Sequence, residues 1–418
     1  MKKLSLSLLM SCALCAGNLQ LMLKSIENNE QLKAKNYETQ SKEKTFESIK
    51  YKYYPSVSLQ GGFVSFDLDK YLVNPNNILS SSISVDALIY DGKREQNIKL
   101  SKKDYELNKL EEEKIKNELE LKLVSLYYSY LALAQNIEYK NKHIEYLKAS
   151  LNRLEKLNQV GLRPDDELEI FRAKLELVKN ELQNLNYQKD EILSNIYLIT
   201  NEHYKPLKGS AVLLNDKENN SYDVRISALK DEMGELNKEL SLAGFKPIIF
   251  AKNITGLGKN NIGYAIYTPF NSKLTGRLKD KMFSNVLFIG FSWNIFAFGA
   301  DKKAYESAKL TSLSAKELYM FSKKNASEKE KLLNLKIDNL KEEIIANEKV
   351  LQASELAFSS IAKKYEAGLV SYVEYLNALE SSQGALAKLS FVKAKLEITK
   401  AELLYNKGLK ISDFVIDL

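Results

Sequence analysis

The chain has 418 residues, and its 61 basic and 54 acidic side chains leave a net charge of +7. Charges of both signs in near balance describe a solvated surface and exclude a nucleic-acid footprint, while the length accommodates two or three domains. Cys12 and Cys15 are its only cysteines and His143 and His203 its only histidines, which excludes a disulfide framework or a Cys/His metal cluster in the body of the chain.

Residues 1–17 read as a targeting segment. Lys2 and Lys3 precede an apolar run over residues 4–14, and Ala13, Cys15, Ala16 and Gly17 are small residues suited to cleavage. A second route is open: Leu9-Met10-Ser11-Cys12 resembles a lipoprotein cleavage box, which makes Cys12 a candidate lipidated residue. No later window holds the ~18 uninterrupted apolar residues that a membrane-spanning helix needs. Entry into a membrane therefore requires strands in a closed barrel.

Residues 18–54 read as a helix ended by Tyr54-Pro55, because proline holds the residue before it extended. Residues 55–91 form a hairpin by pattern. Val57, Leu59 and Phe63 alternate with Ser56, Ser58 and Gln60, and Ile83, Val85, Ala87 and Ile89 with Ser84 and Asp86; the Asn74-Pro75-Asn76-Asn77 stretch reads as the loop between them. Over residues 92–199 the period changes from two to seven. Leu126, Leu133, Leu147 and Leu154 interleave with Tyr130, Ile137, Ile144 and Leu151, the seam of a coiled-coil hairpin that turns at Val160-Gly161-Leu162.

Residues 200–221, with Pro206, Gly209 and Asn219-Asn220, read as a linker, and residues 222–246 as another helix ended by Lys246-Pro247. Residues 247–298 form the second hairpin, with strands over 248–258 and 285–296. Leu287, Ile289, Phe291, Trp293 and Ile295 make one apolar face, and Gly256, Gly258, Asn260 and Asn261 read as a surface loop. Residues 299–405 repeat the coiled-coil hairpin, with the seam at Leu333, Ile337, Leu340, Ile344, Leu351, Ser354, Phe358 and Ile361 and the turn at Ala367-Gly368-Leu369. Residues 406–418 form a tail. Lys140 and Asn347, equivalent positions in the two seams, predict a polar, loosened layer.

The halves are a duplication. Gly92 to Gly161 and Gly299 to Gly368 each span 69 residues, and an offset of 207 relates the two. A helix of that length rises roughly 100 Å. Four strands do not close a barrel, since the smallest membrane barrels use about eight. Left open, their edges invite aggregation, so several chains are expected to pool them.

The stretch Leu88-Ile89-Tyr90-Asp91-Gly92-Lys93-Arg94, its partner Phe291 to Gly299, and the turn segments Val160-Gly161-Leu162 and Tyr365-Glu366-Ala367-Gly368-Leu369 with Val373-Glu374-Tyr375-Leu376-Asn377-Ala378 resemble the TolC-like outer-membrane factor family, over about residues 18–405. The resemblance implies a mainly α fold with a β-barrel part. Duplicated long helical hairpins would form a periplasmic α-barrel, and each chain of a homotrimer would give four strands to a twelve-stranded outer-membrane barrel. It implies an exit duct for drug efflux or type I secretion, working with a periplasmic adaptor protein and an inner-membrane RND-type pump or ABC transporter. The residues themselves show no phosphate-binding glycine loop, nucleophile constellation or metal-ligand cluster, so neither an enzyme nor a cofactor is expected. The resemblance places adaptor docking at Val160, Gly161, Leu162, Ala367, Gly368 and Leu369. The pore entrance falls at Glu374 and Asn377, where an amide replaces one of the family's two acids. Gate contacts fall at Glu167 and Tyr365; the arginine that completes the family's lock is Val370 here, which leaves Arg163 or Arg172 as substitutes. The tips differ, with Glu167 and Ile170 in one half and Glu374 and Asn377 in the other. The competing reading is a structural coiled-coil envelope protein without transport.

Overall fold

A computed structural model describes residues 15–65, 73–215, 220–267 and 273–417, so Cys12 lies outside the described residues. The first expected helix is two: α1 (Leu19–Ser25) and α2 (Glu30–Tyr51), joined by a short 3₁₀ turn. The break falls at Asn29. Its side-chain amide donates to the carbonyls of Leu198 and Ile199, both at 3.1 Å, and its side-chain oxygen accepts from Gln31 N at 2.9 Å. An asparagine that can cap a following helix competes with the helix interior.

The long arms are single helices, α3 (Arg94–Gln159) and, in the second half, α6 (Ala300–Glu366), of 66 and 67 residues. The return helices, α4 (Asp165–Thr200) and α7 (Tyr372–Asn406), have 36 and 35 residues. The second half opens with α5 (Tyr222–Leu242). The chain divides into two compact units. The first comprises residues through Tyr37, Lys109–Ile226 and the chain from Met320 on; the second comprises Glu38–Asn108 and Ser227–Tyr319.

In the first unit, the segment expected as a linker is held by strands. Strand β4 (Tyr204–Pro206) runs parallel to β1 (Cys15–Gly17), and β5 (Ser210–Val212) pairs antiparallel with β8 (Val415–Asp417). The targeting segment inferred over residues 1–17 thus ends in a paired strand. Leu19, Met22, Ile26, Leu123, Tyr127 and Leu404 form the buried core of this region. Asn117 donates to the carbonyl of Leu409 at 2.8 Å and accepts from Ile411 N at 3.0 Å, while Glu120 accepts from Ser412 N at 2.8 Å. Burial pushes the Glu120 carboxyl above the usual range, against the lowering effect of those donors. Gly408 has φ +69°, and an added Cβ would meet Asn220 O at 2.4 Å, so neither the backbone angle nor the space admits a side chain.

The second unit carries a four-stranded antiparallel sheet in the order β2 (Ser56–Ser65), β3 (Val73–Asp91), β6 (Ile248–Tyr267), β7 (Lys273–Ser292). Two expected loops are corrected to strand. Residues 74–77 lie inside β3, where a register shift between Pro75 and Asn77 absorbs the irregularity. Gly256, Gly258, Asn260 and Asn261 lie inside β6. Strand β6 is hydrogen-bonded on both sides, so its ladder holds residues whose own preference is for turns. Conversely, residues 293–296 lie beyond β7, and Trp293 Nε1 donates to the carbonyl of Phe245 at 3.0 Å.

Cross-strand register sorts the sheet into two faces. One carries the ion pair between Lys252 and Asp86 at 3.2 Å and the Ser58–Ser84 hydroxyl pair at 2.8 Å. The other carries Val57, Leu59, Ile83, Leu287, Ile289 and Phe291, all exposed. Asn253, Thr255 and Asn285 interrupt that apolar face, but they satisfy one another. Asn253 donates to Asn285 Oδ1, and Asn285 donates to Thr255 Oγ1, each at 3.0 Å. Among the described residues no helix is long and apolar enough to cross a membrane, and no side-chain group is arranged to hold a metal ion.

The polar layer expected at Lys140 centres on its neighbour. Lys140 pairs with Glu181 at 2.6 Å, and His143, three residues on, is buried with neither ring nitrogen hydrogen-bonded. Gln383 Oε1 is likewise buried and unpaired, whereas Asn347, in the second seam, donates to its own helix at Glu343 O, 2.7 Å away. Burial first, then the charges of Lys140 and Lys174, against the opposing Glu181, push the His143 pKa down to about 4. The folded chain therefore holds His143 neutral while the unfolded chain protonates it near 6.5. Stability from this group is complete above pH 6.5 and is lost as pH falls toward 4. His143→Leu is expected to flatten that loss; thermal melts between pH 7 and pH 4 that fall as steeply in the variant as in the parent would contradict the assignment.

Candidate functional site at the helix turns

Both helical hairpins turn within the first unit, and by the same hydrogen-bond pattern. Gly161, at φ +73°, donates to Asn158 O at 2.8 Å, and Leu162 N donates to Leu157 O at 2.9 Å. Gly368, at φ +74°, donates to Tyr365 O at 3.0 Å, and Leu369 N donates to Lys364 O at 2.9 Å. This is a Schellman closure, which needs a left-handed residue and so favours glycine. Nothing lies within 4 Å of a Cβ placed on either glycine. Val160, Leu162, Ala367 and Leu369 are exposed around them, so each turn presents a small apolar knob to solvent.

The helices that leave the turns start differently. Helix α7 is capped by Ser371, whose hydroxyl accepts from Glu374 N at 3.3 Å. That cap places Glu374 in the first turn, exposed, with Asn377 exposed one turn on. Helix α4 follows Pro164 with no side-chain cap bond, but Asp165, Asp166 and Glu167 occupy its first turn, where negative charge complements the helix dipole. Asn158 ties the loop by donating to Arg163 O at 3.0 Å and to Asp165 Oδ1 at 2.7 Å. Ile170 is exposed.

Glu167 and Glu374 are equivalent by the 207-residue offset, yet Glu167 is only 2 % exposed. Tyr365 Oη donates to Glu167 Oε1 at 2.8 Å, linking the two hairpins, and Arg163 Nη1 lies 3.3 Å from Glu167 Oε2. The Arg163 guanidinium also sits 5.7 Å from the Tyr365 ring centre. Burial and the adjacent carboxylate raise the Tyr365 hydroxyl pKa far above its usual value, so it remains a donor. Of the two candidate substitutes for the family arginine, Arg163 joins this buried pair. Arg172 bonds instead to Glu169 at 2.7 Å and Glu155 at 3.1 Å within its own hairpin. Val370 packs against the same apolar cluster.

Further links were not anticipated from the sequence. Ser150 Oγ donates to Tyr375 Oη at 3.1 Å, Arg153 Nη2 donates to the Glu366 carbonyl at 2.6 Å, and Lys174 pairs with Glu380. Phe171 packs among Tyr365, Tyr372 and Tyr375 at 6.2–6.5 Å between ring centres, and Tyr365 stacks on Tyr375 at 4.8 Å. The available signal was Tyr365, Tyr372 and Tyr375 within about two helical turns of Gly368, with Phe171 about three turns after Gly161.

Residues 21–202 match the sequence model of a family described as outer membrane efflux protein. No curated protein matches the chain. The fold is shared with solved structures at low identity. A membrane protein from Pseudomonas aeruginosa is 14% identical with a TM-score of 0.79, covering 94% of this chain and 91% of that one. The outer membrane protein VceC from Vibrio cholerae is 13% identical with a TM-score of 0.78, covering 94% and 96%. The Campylobacter jejuni CmeC outer membrane channel is 15% identical with a TM-score of 0.77, covering 93% and 85%. The chain thus carries the signature of outer membrane efflux proteins, a channel family rather than an enzyme family, over residues 21–202, and the fold of TolC-like outer-membrane channels over nearly all its length.

Proposed function

We propose that the protein is the outer-membrane exit duct of a tripartite export system, acting as a homotrimer with a periplasmic adaptor and an inner-membrane transporter. The observation that carries this reading is the presence in one chain of two near-equal helical hairpins, each ending in an exposed glycine turn, and a four-stranded sheet whose edges β2 and β7 have no partner strand among the described residues. Three copies supply twelve strands and remove every edge, the condition for a sheet to sit in lipid. Symmetry then brings six glycine turns to one ring, where shallow apolar knobs suit docking by helices of an adaptor. The ion-paired, serine-bearing face of the sheet lines the pore, and the apolar face meets lipid. Drug efflux and protein secretion are both compatible with this duct, since specificity resides largely in the partners.

In this reading Tyr365–Glu167, with Arg163, holds the two hairpins of one protomer together at the entrance, and Glu374 supplies a ring of three carboxylates. Like charges arranged by symmetry around a pore attract cations. A structural coiled-coil protein without transport would share the helices but would form no channel in a bilayer.

Gly161→Arg or Gly368→Arg is expected to leave heat-resistant trimers in the membrane while abolishing export; normal export by either assembled variant would remove the docking role. Tyr365→Phe deletes a hydrogen bond to a buried carboxylate, worth about 1.5–3 kcal/mol. It should raise leak conductance in planar bilayers, and unchanged conductance would count against a lock at this contact. Glu374→Ala should weaken block by divalent cations, and identical block in parent and variant would refute the carboxylate ring.

A further inference from the structure

The apolar face of the sheet ends in charge. Lys259 of β6 lies directly opposite Lys281 of β7, and both are exposed on the face that carries Phe283, Leu287, Ile289 and Phe291. Lys279 continues the row two residues further along β7. Like charges directly opposite across a ladder repel, and among the described residues neither Lys259 nor Lys281 has an acidic partner.

Beside the lysines is a hollow of about 690 Å³, walled by Phe63, Leu79, Leu257 and Phe283 with Lys259 and Lys281 at one rim. The wall residues form two cross-strand rows, Phe63–Leu79–Lys259–Lys281 and Gly61–Ser81–Leu257–Phe283. The small Gly61 and Ser81 open one end of the second row, and the apolar lining leaves room for hydrocarbon.

We propose that this hollow binds a phosphorylated, multiply acylated lipid of the outer leaflet, with acyl chain against Phe63, Leu79, Leu257 and Phe283 and headgroup phosphate between Lys259 and Lys281. The position along the strand fits. Phe291 to Lys281 is ten residues, about 33 Å of strand, or about 25 Å along the membrane normal at a barrel tilt near 40°, the height of an apolar barrel band. The lysines therefore stand at the band's edge, where a cation on the lipid face costs little, rather than at the midplane, where it is expensive. Helices α3, α5 and α6 join the sheet at its opposite end, so the lysine end faces outward when those helices are periplasmic. That orientation rests on the duct reading above. Phosphates also remove the repulsion between the paired lysines, each worth about a factor of five in attraction to an anionic membrane surface.

The experiment uses the full-length protein purified in neutral detergent and counts retained lipid by native mass spectrometry after incubation with diphosphoryl lipid A, monophosphoryl lipid A or phosphatidylcholine. The parent is expected to prefer diphosphoryl lipid A, and K259Q/K281Q is expected to lose that preference by about thirtyfold. Equal retention of all three lipids by the parent, an undiminished preference in the double variant, or displacement of bound lipid A by inorganic phosphate alone would overturn the site. Bilayer conductance measured alongside separates the two readings. A conducting parent without lipid preference removes the lipid site alone, whereas lipid preference in a non-conducting protein keeps the site and removes the duct.

Discussion

Everything in this protein answers to the unpaired backbone of a four-stranded sheet. Among the described residues, strands β2 and β7 each leave one edge without a partner strand, and the sheet carries exposed Val57, Leu59, Leu287 and Phe291 on one face. Neither feature is tolerable in water, and in lipid an open edge is worse, because no solvent competes for the polar groups. Closure by copies of the same chain is the economical solution. In the proposed trimer, closure would impose symmetry on every other element, so a feature present once in the chain would become a ring.

Such symmetry would explain why the duplicated helices keep their length. The proposed ring of turns at one level would require α3 and α6 to agree, and they do, at 66 and 67 residues. The common turn geometry, with Gly161 and Gly368 at φ +73° and +74°, extends the agreement to the backbone. Side chains at the turns diverge instead. One member of an equivalent acid pair, Glu167, is buried against Tyr365 and Arg163; the other, Glu374, remains in solvent. A duplicated scaffold has thus been divided between holding two hairpins together and presenting charge.

Much of this was legible in the chain. The seven-residue period marked both seams, and Leu147, Leu154, Leu333, Ile337 and Leu340 are buried as that period requires. Alternation identified the apolar sheet face. Strand length was not legible. The Asn- and Gly-rich segments of β3 and β6 look like loops because local preference is all a sequence window reports, and cross-strand pairing overrides it, with β6 alone for residues 73–75 of β3 and with both neighbours for β6 at residues 256–261. The kink at Asn29 was hidden for a similar reason, since its amide bonds to carbonyls some 170 residues away.

Periodicity, turn glycines and repeat spacing are written along the chain itself, so the lengths of the long helical arms, the duplication and the two sheet faces followed from the residues alone. The choice of partner did not. That Ser150 meets Tyr375, that Arg153 reaches the Glu366 carbonyl, that Phe171 packs among three tyrosines, and that Glu167 rather than Glu374 is buried are consequences of how two hairpins pack side by side. Equivalent positions in a repeat share local geometry but face different neighbours. Burial and hydrogen bonding are set by those neighbours, and only the folded chain brings them within reach.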